Sequence, residues 1–189
     1  MLSTRLLFGL ALLLVAFPSR AQVVALDSVA VGGSMMGGPG GGPFTLVSLR
    51  DARVVSNADS ATTAWDIGLR GTTILVNGGT SGPGEGAAAV VEAAFDDVDA
   101  LHAASLRADG EGDCPRGEPL AICTGSGNGW YLYAGNGVEP LAGRTLVVRT
   151  ADGSAPVRLR VVRYTLSAPL ADGSRPRYYA LEFAPLGAE

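Results

Sequence analysis

Lysine is absent from this chain, whose 14 basic residues are all Arg and face 18 Asp and Glu for a net charge of −4. Neutralising a phosphate backbone needs a basic face, so nucleic acid is excluded as the main partner. A phosphate loop of the G-x-x-x-x-G-K type cannot be built without Lys. Histidine and cysteine are nearly absent too. With 1 His and 2 Cys the chain has no material for a multi-His zinc site, a four-Cys metal knot or an iron–sulfur cluster of its own. Long apolar runs are also missing: the longest, Leu6 to Phe17, has 12 residues, well short of the ~20 that cross a bilayer. A membrane-spanning protein is therefore not expected.

What is present is 189 residues without internal repeat, 47% of them apolar, enough for one domain with a sizeable core. Met1 to Ala21 reads as a secretory leader, with Arg5 as its positive start, the apolar run in the middle and Ser19-Arg20-Ala21 at the cleavage positions. The mature protein is expected to begin near Gln22 and to form a single domain over 22–189. No Cys stands just after the apolar run, so a lipid anchor is not expected. Losing Arg5 and Arg20 makes the mature chain more acidic. The expected location is outside the cytoplasm: periplasm, cell surface or medium. In that oxidising setting Cys114 and Cys123, with 8 loop-like residues between them, are expected to form a disulfide. A loop of that length gains roughly 2 to 3 kcal/mol in the chain-entropy account.

Glycine-rich punctuation cuts the sequence into pieces of five to ten residues rich in β-branched and aromatic side chains, the pattern of a many-stranded β protein. Strands are expected at Val23–Val31, Pro43–Leu49, Ala61–Arg70 and Thr72–Asn77, with a turn cluster at Asn57–Ser60 and a glycine-rich loop at Gly78–Gly86. Ala87–Leu106 reads as a strand followed by a short helix. Trp130–Tyr133 is an aromatic segment, and Arg144–Thr150, Pro156–Leu166 and Arg175–Phe183 alternate as three further strands. Asp152-Gly153 and Asp172-Gly173 favour the turns of an antiparallel C-terminal meander. On its middle strand Val157, Leu159 and Val161 share the core face, leaving Arg158 and Arg160 on the other. The expected class is all-β, one domain of many antiparallel strands with little helix.

Enzymatic chemistry finds little to work with. No Ser sits in a G-x-S-x-G elbow and His102 is the only candidate base. Asp109-Gly110-Glu111-Gly112-Asp113 resembles the start of a calcium loop, but Cys114 replaces the glycine at position six and Leu120 the closing Glu. Asp96, Asp97, Asp99 and His102 read as a solvated turn leading into a capped helix, or as a divalent-metal cluster. No catalytic or metal residues are assigned. For iron chemistry the donors are His102, Met35 and Met36. Their alternative reading is plain: a partly exposed helix residue and loop filling.

The run Thr63–Gly79 (TAWDIGLRGTTILVNGG), its extension Thr80–Gly84, then Gly127–Tyr133 and Val147–Gly153 together resemble the HmuY family of exported bacterial proteins, over about Pro43 to Phe183. The W-D-I strand before an N-G-G loop and the R-T-A-D-G hairpin carry the likeness. The resemblance implies an all-β fold whose protruding fingers clasp haem, captured outside the cell for an outer-membrane transporter. Family members hold iron between two His, and this chain has only His102, outside those motifs. Members that use Met instead make Met35 and Met36 candidates. Trp65-Asp66 reads physically as a buried indole with a turn or edge carboxylate. The expected function is a non-enzymatic haem or porphyrin binder in haem (iron) acquisition. The alternative is an envelope protein with the same fold that acts as a structural or protein-interaction domain.

Overall fold

A computed structural model of the chain describes residues 22–31, 42–135, 137–154, 156–168 and 176–187. The expected leader, Met35 with Met36, and the Asp172-Gly173 turn lie outside the described residues. Among the described residues eleven strands form: β1 Val24–Val31, β2 Thr45–Ser48, β3 Arg53–Val55, β4 Ile67–Arg70, β5 Thr73–Val76, β6 Ala87–Val91, β7 Tyr131–Ala134, β8 Gly137–Pro140, β9 Thr145–Arg149, β10 Val157–Leu166 and β11 Arg177–Pro185. All pairings between them are antiparallel. Helix is confined to short 3₁₀ segments at Asn57–Asp59, Phe95–Asp97 and Ala100–Ser105 among the described residues. The all-β class expected from the glycine spacing is the class observed.

The strands make a five-stranded sheet ordered β1-β11-β10-β9-β6, a four-stranded sheet ordered β3-β2-β4-β5, and a separate β7-β8 hairpin. Alternation explains how the two larger sheets meet. Val47, Ile67, Leu69, Ile74 and Val76 of the small sheet share one buried cluster with Leu146, Val148, Leu159, Leu181 and Phe183 of the large one. The core is thus a sandwich filling. On the far face of the large sheet, Val98 of the 3₁₀ region packs with Val147 and Leu186. β9 is apolar on both faces for that reason. The meander β9-β10-β11 forms as expected, with Val157, Leu159 and Val161 buried and Arg160 outside.

Two expectations are corrected. Ala61–Ala64 are turn rather than strand: the Thr62 hydroxyl donates to the Asp59 carbonyl, and Asn77 Nδ2 donates to the Thr62 carbonyl. Only Ile67–Arg70 of that run pairs. Asp66, expected at a turn or edge, is fully buried. Its Oδ2 accepts from Leu49 N–H at 2.7 Å, and its Oδ1 accepts from Ala151 N–H at 2.8 Å and from Arg50 Nε at 3.2 Å. Arg50 in turn reaches Asp152 through Nη1 at 3.1 Å. Burial works against the Arg50 cation, but the Asp66 and Asp152 carboxylates outweigh it and hold its pKa above the ordinary value. A single carboxylate thereby joins the β2–β3 turn, the start of β4 and the β9–β10 turn.

Asn77 completes the knot. Its Nδ2 also donates to the Trp65 carbonyl at 2.8 Å, its Oδ1 accepts from Gly84 N–H, and its own N–H donates to the Asp66 carbonyl. The glycine-rich segment after it is therefore closely packed. A Cβ at Gly82 would stand 2.2 Å from Asn77 Oδ1, and one at Gly84 2.6 Å from the Asn77 carbonyl oxygen, closer than any side chain tolerates. The Asp152-Gly153 turn also differs from a two-residue hairpin, since β9 ends at Arg149 and β10 begins at Val157. The extra length lets Ala151 serve Asp66 with its N–H and Glu85 N–H with its carbonyl. The Cys114–Cys123 disulfide is present, with Cα atoms 5.3 Å apart.

Asp66→Asn keeps the shape but removes the charge facing three backbone N–H groups and the Arg50 guanidinium, and a loss of about 3 kcal/mol is expected in urea unfolding. Asp152→Asn, on the exposed end of the same network, should cost under about 1 kcal/mol. The Asp152 carboxyl is held down to about 2, chiefly by the Thr150 hydroxyl, with the Ser154 N–H and Arg50 adding to it. Its contribution is complete above its unfolded value near 4 and lost as pH falls through 2. The difference between wild type and Asp152→Asn should therefore vanish between those limits. Reduction of the disulfide should lower stability by about 3 kcal/mol in the same assay.

Candidate functional site

His102 sits in the 3₁₀ segment Ala100–Ser105, whose first residue follows Asp99. Asp99 caps the segment: its Oδ1 accepts from Leu101 N–H at 3.0 Å and lies 2.8 Å from His102 Nδ1. The same ring nitrogen stands 3.2 Å from Asp99 N–H, so it accepts from that N–H in one tautomer and donates to Oδ1 in the other. The hydrogen bond from His102 holds the Asp99 carboxyl below its usual value. The acidic run Asp96–Asp99 is thus the solvated turn and cap of the first of its two readings. Because Nδ1 is spent on Asp99, Nε2 is the nitrogen left for a further partner. A carboxylate behind an imidazole is also the arrangement that orients metal-ligating His.

The remaining expected donors, Met35 and Met36, fall between the end of β1 and Gly42, outside the described residues. Sheet order bears on how the donors are distributed. The His102 segment packs on β6, and β6 and β1 are the two outer strands of the five-stranded sheet, four interstrand steps or roughly 19 Å apart. His102 therefore belongs to the β6 edge of that sheet.

The calcium-like run is absorbed by the fold. Asp109 is fully buried, accepting from Val76 N–H at 3.0 Å and Ala121 N–H at 2.8 Å. Burial raises its pKa, and these donors with Ser81 offset part of the rise. Glu111 and Asp113 are exposed, and Glu111 Oε2 accepts from Ala108 N–H. Among the described residues no group of three or more His, Cys, Asp or Glu converges as a metal site.

What sequence reading missed is the β7-β8 finger and the aromatic spine behind it. β8 (GVEP) is short, starts with Gly and ends with Pro, so no propensity marks it. Trp130 lies 4.9 Å from Tyr131, 5.7 Å from Tyr164 and 5.2 Å from Tyr179 between ring centroids. Tyr133 continues the series edge-on to Tyr131 at 5.4 Å and is 54% exposed. The buried polar ends are satisfied: Tyr179 Oη donates to the Gly71 carbonyl, Trp130 Nε1 to the Thr72 carbonyl, and Tyr131 Oη accepts from Gly125 N–H. A register shift in β10 between Val161 and Arg163 changes the facing of the strand, bringing Tyr164 into this spine. The signal available was the pair of Tyr and Trp runs in a chain of only 6% aromatics.

Beside the finger, where β9 leaves β10, lies a cleft of about 450 Å³ lined by Phe95, Leu141, Arg144, Arg160, Val161 and Val162. That volume is in the range of small-molecule sites. The finger, the cleft and the far reach of β10 form one side of the protein, whereas the Asp66 knot lies at the other end of β10.

Burial drives the Tyr164 phenol up to about 12 and the Tyr179 phenol well above its ordinary value. Phenols whose folded values are raised stabilise fully below the unfolded value near 10 and lose that contribution as pH rises through 12. An absorbance titration should show these two tyrosines silent near pH 10 to 11 and ionising only with loss of tertiary circular dichroism. Ionisation of all five tyrosines near pH 10 in a still folded protein would contradict the spine.

No protein-family model matches the sequence, and no curated protein matches it. Among solved structures the chain is similar to a candidate HmuY-like heme binding protein from Bacteroides vulgatus, with a TM-score of 0.47 and 13% identity over 89% of this chain and 93% of that one.

Proposed function

We propose that this is an exported, non-enzymatic protein that binds haem or a related porphyrin and serves haem acquisition at the cell envelope, handing its ligand to an outer-membrane transporter. The observation that carries the reading is where the family-like motifs meet. Trp65, Asp66, Asn77, Gly82, Gly84, Ala151 and Asp152 lie far apart in sequence yet join in one hydrogen-bonded knot. Motifs that scattered would be coincidence; motifs that interlock are what a shared architecture requires.

Haem chemistry needs an axial donor, an apolar or aromatic surface for the macrocycle and cations for its carboxylates. On this reading His102 offers Nε2 with Asp99 behind it, and Met35 and Met36, outside the described residues, are the thioether candidates. Bound haem would contribute the iron and the macrocycle, and this chain's role would be to ligate, orient and shield it. No reacting group is required of the protein, in keeping with a carrier.

A second reading has its own support. The motif residues Asp66, Asn77 and Ala151 are spent on hydrogen bonds inside the fold, so a chain could keep the knot and lose the ligand, acting as a structural or protein-interaction domain of the envelope.

Titration of the mature protein with haem, in oxidised and reduced form, separates the two. The carrier should give saturable Soret changes at micromolar concentrations, with affinity reduced about tenfold or more in His102→Ala or in the Met35→Ala, Met36→Ala double variant. An unchanged spectrum in the parent protein would overturn the carrier and favour the interaction domain.

A further inference from the structure

The β9–β10 ladder ends at the Leu146–Leu159 pair, while β10 continues to Leu166. No described strand pairs with that side of β10 beyond this point. The notch left open is the 450 Å³ cleft, and its walls combine two chemistries. Val162 is the extra residue where the register of β10 shifts, and it stands 48% exposed on the cleft. An isolated exposed Val needs no explanation, but a bulge that sets one beside Val161 and Leu141 makes an apolar wall. The other wall carries two guanidinium groups in a chain with an acidic surplus.

Both cations are held in position and neither is saturated. Arg160 pairs with Glu182 through Nε, at 2.8 Å, and Nη2, leaving Nη1. Its guanidinium lies 4.8 Å from the Phe95 ring centroid, and Arg158 stands 4.7 Å from the same ring. Arg144 donates through Nη1 to the Gly127 and Gly129 carbonyls at 2.8 and 3.0 Å, and through Nη2 to Glu92, leaving Nε. Glu92 is 80% exposed, so that ion pair is worth little in water and yields to a better-placed carboxylate. Guanidinium groups already fixed by carbonyls, an aromatic face and a neighbouring carboxylate lose little freedom on binding.

We propose that this cleft binds an amphipathic carboxylate, with the ligand's apolar body against Val162 and Leu141 and its carboxylate on Arg144 and Arg160. A porphyrin propionate edge and a fatty-acid head share this chemistry. With porphyrin the inference rests on and deepens the proposed function, and with a fatty acid it stands apart from it. Iron ligation plays no part, so metal-free ligands test it.

The experiment titrates the full mature chain with protoporphyrin IX, its dimethyl ester and dodecanoate, following tryptophan fluorescence and heat. Protoporphyrin IX should bind saturably, and about tenfold more weakly after esterification, in Arg160→Gln or in Val162→Glu. Val162→Glu alters an exposed side chain, so it keeps the test open should Arg160→Gln fail to fold. Porphyrin binding insensitive to esterification and to both variants would overturn the inference and leave the haem reading standing. Dodecanoate binding that both variants weaken, with no porphyrin binding, would uphold the cleft as a fatty-acid site, separate from the haem reading that the haem titration decides. Binding of none of the three ligands would overturn the inference and leave the haem reading to that titration.

Discussion

A charge buried without solvent must be repaid by donors in fixed positions, and Asp66 sets that requirement at the junction of the two sheets. Its oxygens take N–H groups from Leu49 and Ala151, positions 102 residues apart in sequence, together with the Arg50 guanidinium. None of these donors can move far without leaving the carboxylate exposed to apolar surroundings. The β9–β10 turn is therefore longer than a minimal hairpin, because its backbone has to present Ala151 to Asp66. Likewise the segment after β5 has to be glycine-rich, because Asn77 draws it in until no Cβ fits at Gly82 or Gly84.

Fixing one end of β10 leaves the other end free to vary. Near Val157 the strand is paired on both sides, by β9 and β11. Past Leu159 no described strand pairs on the β9 side, and the register shift at Val162 turns Tyr164 inward toward Trp130 and Tyr179. The same strand thus carries aliphatic packing at one end and an aromatic spine at the other. The cleft arises at the change-over, where strand pairing has stopped and the β8–β9 connection has not filled the space.

This division also decides what was legible in the sequence. Strands such as β10, whose first half alternates against a single core, announce themselves, and so did Asp99 as a cap and the two Cys as a bridge. The burial of Asp66 did not, because a carboxylate after Trp65 near turn residues has the same local pattern whether its partners are water or backbone N–H groups 85 residues away. The bulge was hidden for a related reason: Val161-Val162-Arg163 is as good a strand sequence with the extra residue as without it, and only the register against β11 tells them apart. β8 was invisible because its four residues include Gly and Pro and its partner is a neighbour in a hairpin rather than a sheet. Local chemistry was readable; long-range pairing was not.

Of the motifs that mark the resemblance, Thr63–Gly84 and Val147–Gly153 report on the knot, while Gly127–Tyr133 leads into the finger. Conserving a fold and conserving a site are separate demands on the sequence. Asp66 and Asn77 constrain residues that touch them, whereas nothing in that network reaches the finger, the cleft or His102. The scaffold holds its shape through Asp66, so substitutions along the finger and the cleft change the surface there while leaving the hydrogen bonds at the sheet junction in place.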